Sequence, residues 1–220
     1  YPPLWLNEIQ PQNRGGLRDN AGETDPWIEL YSAGPEALSL DNICLASSLT
    51  NLAQWRFPAG TTLGPGQFLL VWADGQPGQS TADALHTGFR LDPAEGQVVL
   101  SELVGGAPRI LDCLRYQNVQ ADHSYGSYPD GQLSYRGEFY FPTPGQTNNA
   151  ALPPAPVRIN EWMAANTGAL ADPADGRFED WFELYNAGSQ PVDLSGYTLT
   201  DTIADPRKYT IPAGVTLAPL

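Results

Sequence analysis

The chain repeats itself, and the repeat bounds every fold open to it. Asn7-Glu8 in LWLNEIQ recurs as Asn160-Glu161 in VRINEWM, an offset of 153 that also relates Asn13, Gly15, Leu17 and Asp19 to Asn166, Gly168, Leu170 and Asp172. After one inserted residue the offset becomes 154: WIELYSAG at 27–34 matches WFELYNAG at 181–188, and FPAGTTLGP at 57–65 matches IPAGVTLAP at 211–219. Leu40 and Leu45 likewise match Leu194 and Leu199. The reading is one complete unit over 1–150, a linker at 151–156, and the N-terminal part of a second unit over 157–220. ALPPAPV at 151–157 is Pro-rich, and such a stretch is stiff and extended, suited to spacing two domains. Tyr1-Pro2-Pro3 precedes the first unit as Pro154-Ala155-Pro156 precedes the second, which points to a further domain upstream.

Each unit reads as strands. Runs near 4–10, 27–32, 43–47, 54–58, 67–73, 96–102 and 109–116 are short and rich in Val, Ile, Leu and aromatics, with Gly, Pro, Asn or Asp clusters at their ends. That count implies a β-sandwich. The stretch 36–57 competes as a helix, since it lacks Gly and Pro and sets Leu45, Leu49, Leu52 and Trp55 at helical spacing. Its counterpart in the second unit contains Gly196 and Pro206. A helix interior would lose about 1 kcal/mol to the glycine and about 3 kcal/mol to the proline, so both stretches are expected as strand, loop and strand.

Charge excludes some partners. Asp and Glu number 25 against 11 Lys and Arg, a formal charge of −14, and Lys208 is the single lysine. A nucleic-acid backbone or an anionic membrane needs a cationic surface to release its counterions, so neither is an expected partner. The longest apolar run, FLLVWA at 68–73, is far below the roughly 18 residues of a membrane helix, so no membrane insertion is expected. The first residue is not Met and no charged-then-apolar leader is present, so the chain is expected to be a processed or excised piece. Cys44 and Cys113 lack the Cys-x-x-Cys spacing of a zinc knuckle. Two buried thiols are the plain reading, and a Cys44–Cys113 disulfide is the candidate if the protein is secreted.

The motifs have physical roles. Strand alternation in WIELY and WFELY sends Ile28 and Leu30, or Phe182 and Leu184, to the core, and turns Trp27, Glu29 and Tyr31, or Trp181, Glu183 and Tyr185, outward. A glutamate between two aromatics is expected to accept hydrogen bonds from loop backbone or to pair with an arginine. Gly60 and Gly214 sit where a turn needs positive φ. Two acidic loops, RDNAGETD and ADPADGRFED, are the best candidates for site chemistry. Asp19, Glu23 and Asp25 in the first, with Asp172, Asp175, Glu179 and Asp180 in the second, offer the hard oxygens that Ca2+ takes six to eight at a time. Neither fits the twelve-residue calcium loop, and a solvated acidic loop is the competing reading.

Catalytic constellations are missing from the sequence. His86 and His123 are the only histidines and read as solvated loop residues; there is no Gly-x-Ser-x-Gly elbow and no Gly-rich phosphate loop, so no catalytic residue is named. The segment 124–141 concentrates Tyr125, Tyr128, Tyr135, Phe139, Tyr140 and Phe141. Exposed aromatic faces stack on sugars, but strand-rich domains also bury Tyr and Phe to close their cores, and Asp130-Gly131 marks a tight turn within this segment.

INE followed by an acidic loop, DWFELYNAG, VDLSGYTLTD and YTIPAGVTLAP resembles the lamin-tail domain family in its bacterial, extracellular branch. FLLVWADG, FRLDPAEGQVVL, LDCLRY, SYGSYPDG and FPTPGQTN extend the resemblance through the first unit. Pro26 stands where the family usually has Asp before the Trp, and LDNICL replaces the DLSGYTL type of segment. The resemblance implies an all-β, immunoglobulin-like β-sandwich repeated in tandem, used as a non-catalytic interaction, adhesion or scaffold module of a larger secreted or surface protein. Expected partners are a protein or glycan at a cell surface, or neighbouring domains of the same chain. A carbohydrate-binding module and a strand-exchanging subunit of a surface filament are the alternatives, the latter because the second unit lacks counterparts of 67–150 and would leave open strand edges for self-assembly.

Overall fold

A computed structural model describes residues 1–153 and 155–219; Pro154, within the expected linker, and Leu220 lie outside the described residues. The chain divides into two compact units, Tyr1–Leu152 and Pro153–Leu220. Both are built of strands, and the one helical element among the described residues is a 3-10 turn at Pro77–Gln79. Among the described residues no helix is long and apolar enough to cross a membrane.

The first unit runs β1 (Leu4–Gln10), β2 (Trp27–Ser32), β3 (Leu38–Ser39), β4 (Ile43–Ala46), β5 (Trp55–Arg56), β6 (Thr62–Leu63) and β7 (Phe68–Trp72). It continues through β8 (Leu85–His86), β9 (Glu95–Val104), β10 (Ala107–Gln117), β11 (Ser124–Ser127) and β12 (Arg136–Phe139). Six strands form one sheet in the order β12-β11-β1-β2-β7-β8, and four form a second in the order β10-β9-β4-β5. The stretch 36–57, with its helical spacing, contains no helix and holds β3, β4 and β5 with loops between them. Between the sheets lies one core, to which Leu6, Ile28, Leu30, Leu45, Leu100 and Leu114 contribute fully buried side chains. Burying such side chains contributes about 1.5–3 kcal/mol each and is the main term holding the layers together.

A β-bulge shapes the central hairpin. Leu6 pairs with Leu30 and Glu8 with Glu29, so Asn7 is the extra residue. The bulge shifts the alternation by one, which lets both Leu6 and Ile9 face the core while Glu8 sits opposite Glu29 on the outer face. Gly126 of β11 crosses at this point: a Cβ there would lie 2.3 Å from the Asn7 carbonyl oxygen. Only glycine allows that approach.

A polar clasp ties the two sheets together where β10 has its own bulge, between Ile110 and Asp112. Asp112 Oδ2 accepts the Leu6 N–H at 3.0 Å and an Arg136 Nη2–H at 2.6 Å. Arg136 also donates to the carbonyls of Cys113 and Leu6, at 2.9 and 3.2 Å. Both side chains are nearly inaccessible to solvent, so each charge depends on the other.

The candidate disulfide is corrected by this topology: Cys44 and Cys113 are both free. Cys44 pairs with Ser101 and Cys113 with Val99, on opposite edges of β9. Two strand spacings, about 9.6 Å, exceed the roughly 7 Å that a disulfide spans between Cα atoms. Burial pushes both thiols above their ordinary pKa, which favours the protonated form and slows their reactions.

In the second unit, β13 (Val157–Met163) pairs with β14 (Trp181–Asn186), with a bulge between Ile159 and Glu161. Short ladders join β15 (Val192–Asp193) to β18 (Thr216–Leu217) and β16 (Thr198–Leu199) to β17 (Tyr209–Thr210). Ile159, Trp162 and Phe182 occupy the positions of Leu6, Ile9 and Ile28, yet they are 62%, 71% and 48% exposed. Nothing in residues 157–219 plays the part of the facing sheet of β9 and β10.

Candidate functional site

Local geometry in the acidic loops follows from one asparagine. Asn13 Nδ2 donates to the Leu17 and Asp25 carbonyls, at 2.6 and 3.0 Å, and its Oδ1 accepts the Gly16 N–H. Asn166 repeats this on Leu170, Glu179 and Ala169. Within each loop the next turn is also shared. Asp19 N–H reaches the Glu23 carbonyl and Gly22 N–H the Asp19 carbonyl; Asp172, Arg177 and Gly176 repeat that pair of bonds. Gly22 and Gly176 have φ of 85° and 75°, so the turn needs glycine in both units.

The chemistry of the two loops differs. In the first, carboxylate oxygens of Asp19, Glu23 and Asp25 lie within 4.8 Å of one another, and Asp19 is also within 4.8 Å of Asp74 and His86. Asp74 follows β7 and His86 ends β8, so the pairing of β2, β7 and β8 carries both beneath the loop. Trp72 stacks on His86, with ring centroids 6.3 Å apart, and fills the floor beside the buried Trp27. The second loop does not gather its carboxylates, which corrects its place in the expected metal set. Asp172 Oδ1 is bound to the Ala174 N–H, Asp175 pairs with Arg177, Asp180 Oδ1 accepts the Asn166 N–H, and Glu179 is exposed. Arg177 and Pro173 stand where the first loop has Glu23 and Asn20.

His86 is not a solvated loop residue. Its side chain is fully buried, with Nδ1 2.6 Å from Asp74 Oδ2 and Nε2 2.8 Å from Asn20 Oδ1. Asn20 Nδ2 donates to the Gln79 carbonyl at 2.9 Å, which orients its oxygen toward the imidazole. Facing an oxygen on each side, the ring satisfies both contacts when both nitrogens donate. Asp25 Oδ1 accepts from Arg90 Nη1 at 2.6 Å, and Asp19 Oδ1 accepts the Ala21 and Glu23 N–H groups. Asp19 Oδ2, Asp25 Oδ2 and Gln79 Oε1 are buried without a partner. A desolvated oxygen left alone costs about 1–3 kcal/mol, more when it is charged. Sequence reasoning missed Asp74, His86, Asn20 and Gln79; the usable signal was Asp74, an acid directly after the apolar run FLLVWA.

A second polar cluster lies beside the hairpin bulge. Glu8 and Glu29 have no exposed surface. Glu8 accepts hydrogen bonds from Ser124 Oγ and from the Thr143 N–H and hydroxyl; Glu29 accepts from Asn7 Nδ2 at 3.3 Å and the Gly145 N–H at 2.5 Å. Glu29 thus meets loop backbone, as its setting between Trp and Tyr predicts. Burial raises Glu8 to about 7 and Glu29 to about 8, despite these bonds. Asn148 seals the cluster by donating to the Asn7 and Ser127 carbonyls. These carboxylates pin the C-terminal segment of the unit over the hairpin. Asn160 reproduces one contact, reaching Glu183 Oε1 at 2.5 Å, but there both residues are exposed.

The aromatic segment divides. Phe139 is buried and Tyr125 packs against the core, whereas Tyr128, Tyr135, Tyr140 and Phe141 remain exposed. His123 Nδ1 lies 2.8 Å from Glu138 Oε1, and its ring packs edge-on against Tyr140.

A six-stranded sheet, antiparallel except where β8 joins β7, faces a four-stranded antiparallel one, and with helix among the described residues confined to one short turn they define an immunoglobulin-like all-β protein. Residues 150–220 match the model of the Lamin Tail Domain, a family of immunoglobulin-like fold. No curated protein and no solved structure matches the chain.

Proposed function

We propose that the chain is a non-catalytic interaction module of a secreted or cell-surface protein, presenting lamin-tail units in tandem. The observation that carries this reading is the recurrence of one hydrogen-bonded framework in both units. The bulge at Leu6/Glu8 and at Ile159/Glu161, the Asn7–Glu29 and Asn160–Glu183 contacts, and the Asn13 and Asn166 loop anchors coincide at the sequence offsets. Ala33 N–H to the Pro3 carbonyl and Ala187 N–H to the Pro156 carbonyl add a further matched bond before each repeat. What recurs is scaffold, while Glu8 and Glu29, the buried carboxylates a hydrolase would need, are spent holding a loop. Partners of such a module are proteins or glycans at the surface, or the neighbouring domains of its own polypeptide.

Antibody detection after cell fractionation tests the reading: the chain belongs in the medium or surface fraction, and confinement to the cytoplasm would overturn it. Exposed Tyr128 and Tyr135, which flank the β11–β12 turn, favour glycan as the ligand class over protein only if glycan-array binding is lost in Tyr135→Ala.

A further inference from the structure

We propose that the first unit binds one calcium ion through Asp19, Glu23, Asp25 and Gln79, beside Asp74 and His86. Such a site is separate from the module's role and independent of its partner.

Three independent features agree. Asp25 Oδ2 and Asp19 Oδ2 belong to side chains that are 5% and 9% exposed, and neither has a hydrogen-bond partner. Gln79 Oε1, from outside the acidic loop, is likewise unpartnered, while Gln79 Nε2 donates to Glu23 Oε2 at 3.0 Å. Buried oxygens without a donor, two in the acidic loop and one on the residue bonded to Glu23, call for a cation rather than another acceptor. Charge gives the second argument: Asp25 is paired with Arg90, while Asp19 and Glu23 have no cation in ion-pair contact.

The donor set selects the ion. Oxygens held by one calcium at roughly 2.4 Å lie at most about 4.8 Å apart, against about 4.2 Å around magnesium. The three carboxylates lie within 4.8 Å of one another, close enough for one such ion to bridge them, and an all-oxygen set on a flexible loop suits calcium better than the rigid octahedron of magnesium. Zinc would want an imidazole nitrogen, but Nδ1 faces Asp74 and Nε2 faces Asn20. His86 therefore acts as a positioning residue, fixing Asn20 and with it the loop. The second unit carries the same turn with Arg177 in place of Glu23, and so brings a cation of its own to that position.

Calorimetric titration of chelator-treated full chain with CaCl2 tests the site. One saturable site per chain is expected, with the first unit's thermal transition rising by several degrees in excess calcium. Glu23→Arg, a change at an exposed residue that copies the second loop, should abolish binding while the calcium-free chain still unfolds cooperatively. Asp19→Asn should weaken binding at least tenfold, and Asp175→Asn should not alter it. No saturation by about 10 mM, above the range of extracellular calcium modules, would overturn the assignment. So would undiminished binding in Glu23→Arg, or a site that prefers Zn2+ and is lost in His86→Gln.

Discussion

Glu8 and Glu29 face each other across the β1–β2 pair, both fully buried, and neither has a cation against it. Burial raises their folded-state pKa values to about 7 and about 8, while the unfolded chain titrates near 4.5. The sign follows: below 4.5 both states hold the protons and no penalty exists, and as pH rises through 7 to 8 the stability contributed by protonation is lost. Each proton contributes a slope of about 1.4 kcal/mol per pH unit. The first unit should therefore be more stable to urea at pH 5.5 than at pH 8, and Glu29→Gln should remove about one proton's worth of that slope. A flat profile in the unsubstituted chain would refute the assignment.

Arg136 and Asp112 form the clasp between sheets, with side-chain exposures of 12% and 1%. Arg136→Met leaves Asp112 charged and buried alone and should destabilise the first unit by about 3–5 kcal/mol. Adding Asp112→Asn should recover part of that loss in equilibrium unfolding. A simple sum of the two single effects would mean that the pair is not coupled.

At Gly126 the Cβ of alanine would lie 2.3 Å from backbone. Gly126→Ala should cost about 1–3 kcal/mol or more, as overpacking does. Gly137, its partner on β12, has no neighbour within 4 Å of its Cβ position, so Gly137→Ala should change stability by only about 0.5 kcal/mol. Comparing the two melts separates a close approach from a general intolerance of β-hairpin glycines.

Both cysteines should count as thiols. Under non-reducing denaturing conditions a thiol reagent should find two per chain, and in the folded protein the reaction should be slow, because burial raises both pKa values. A mass lower by two protons in the unreacted chain would show a bridge that the positions of Cys44 and Cys113 on either side of β9 forbid.

The strand plan was legible because it is written locally. LWLNEIQ and WIELYS are strands over the residues their alternation indicates, and the second copy resolved 36–57 by placing glycine and proline where a helix could not hold them. Gly60 and Gly214 take φ of 82° and 84°, as their turns require. The β11–β12 hairpin was less legible: Asp130-Gly131 signalled a turn, but Ser124–Ser127 is too short and too polar to announce a strand. Half of the site was legible for the same reason. Asp19 and Asp25 share a loop with Glu23, whereas Asp172, Asp175, Glu179 and Asp180 carry an equal density of acid and come together nowhere, since backbone N–H groups and Arg177 take up their oxygens.

The sequence by itself determined the all-β class and the turns, because side-chain alternation and the φ of glycine act over two to four neighbouring residues. Tertiary structure alone decided what those strands bring together. Asp74 and His86 lie some 50 to 70 positions from Asp19 along the chain and reach it only because β7 and β8 dock beside β2. Cys44 and Cys113 are kept apart by the same kind of long-range register, with β9 between them. Periodicity sets which face a residue occupies; strand pairing across the sheet sets which residues share that face, and no local pattern encodes it.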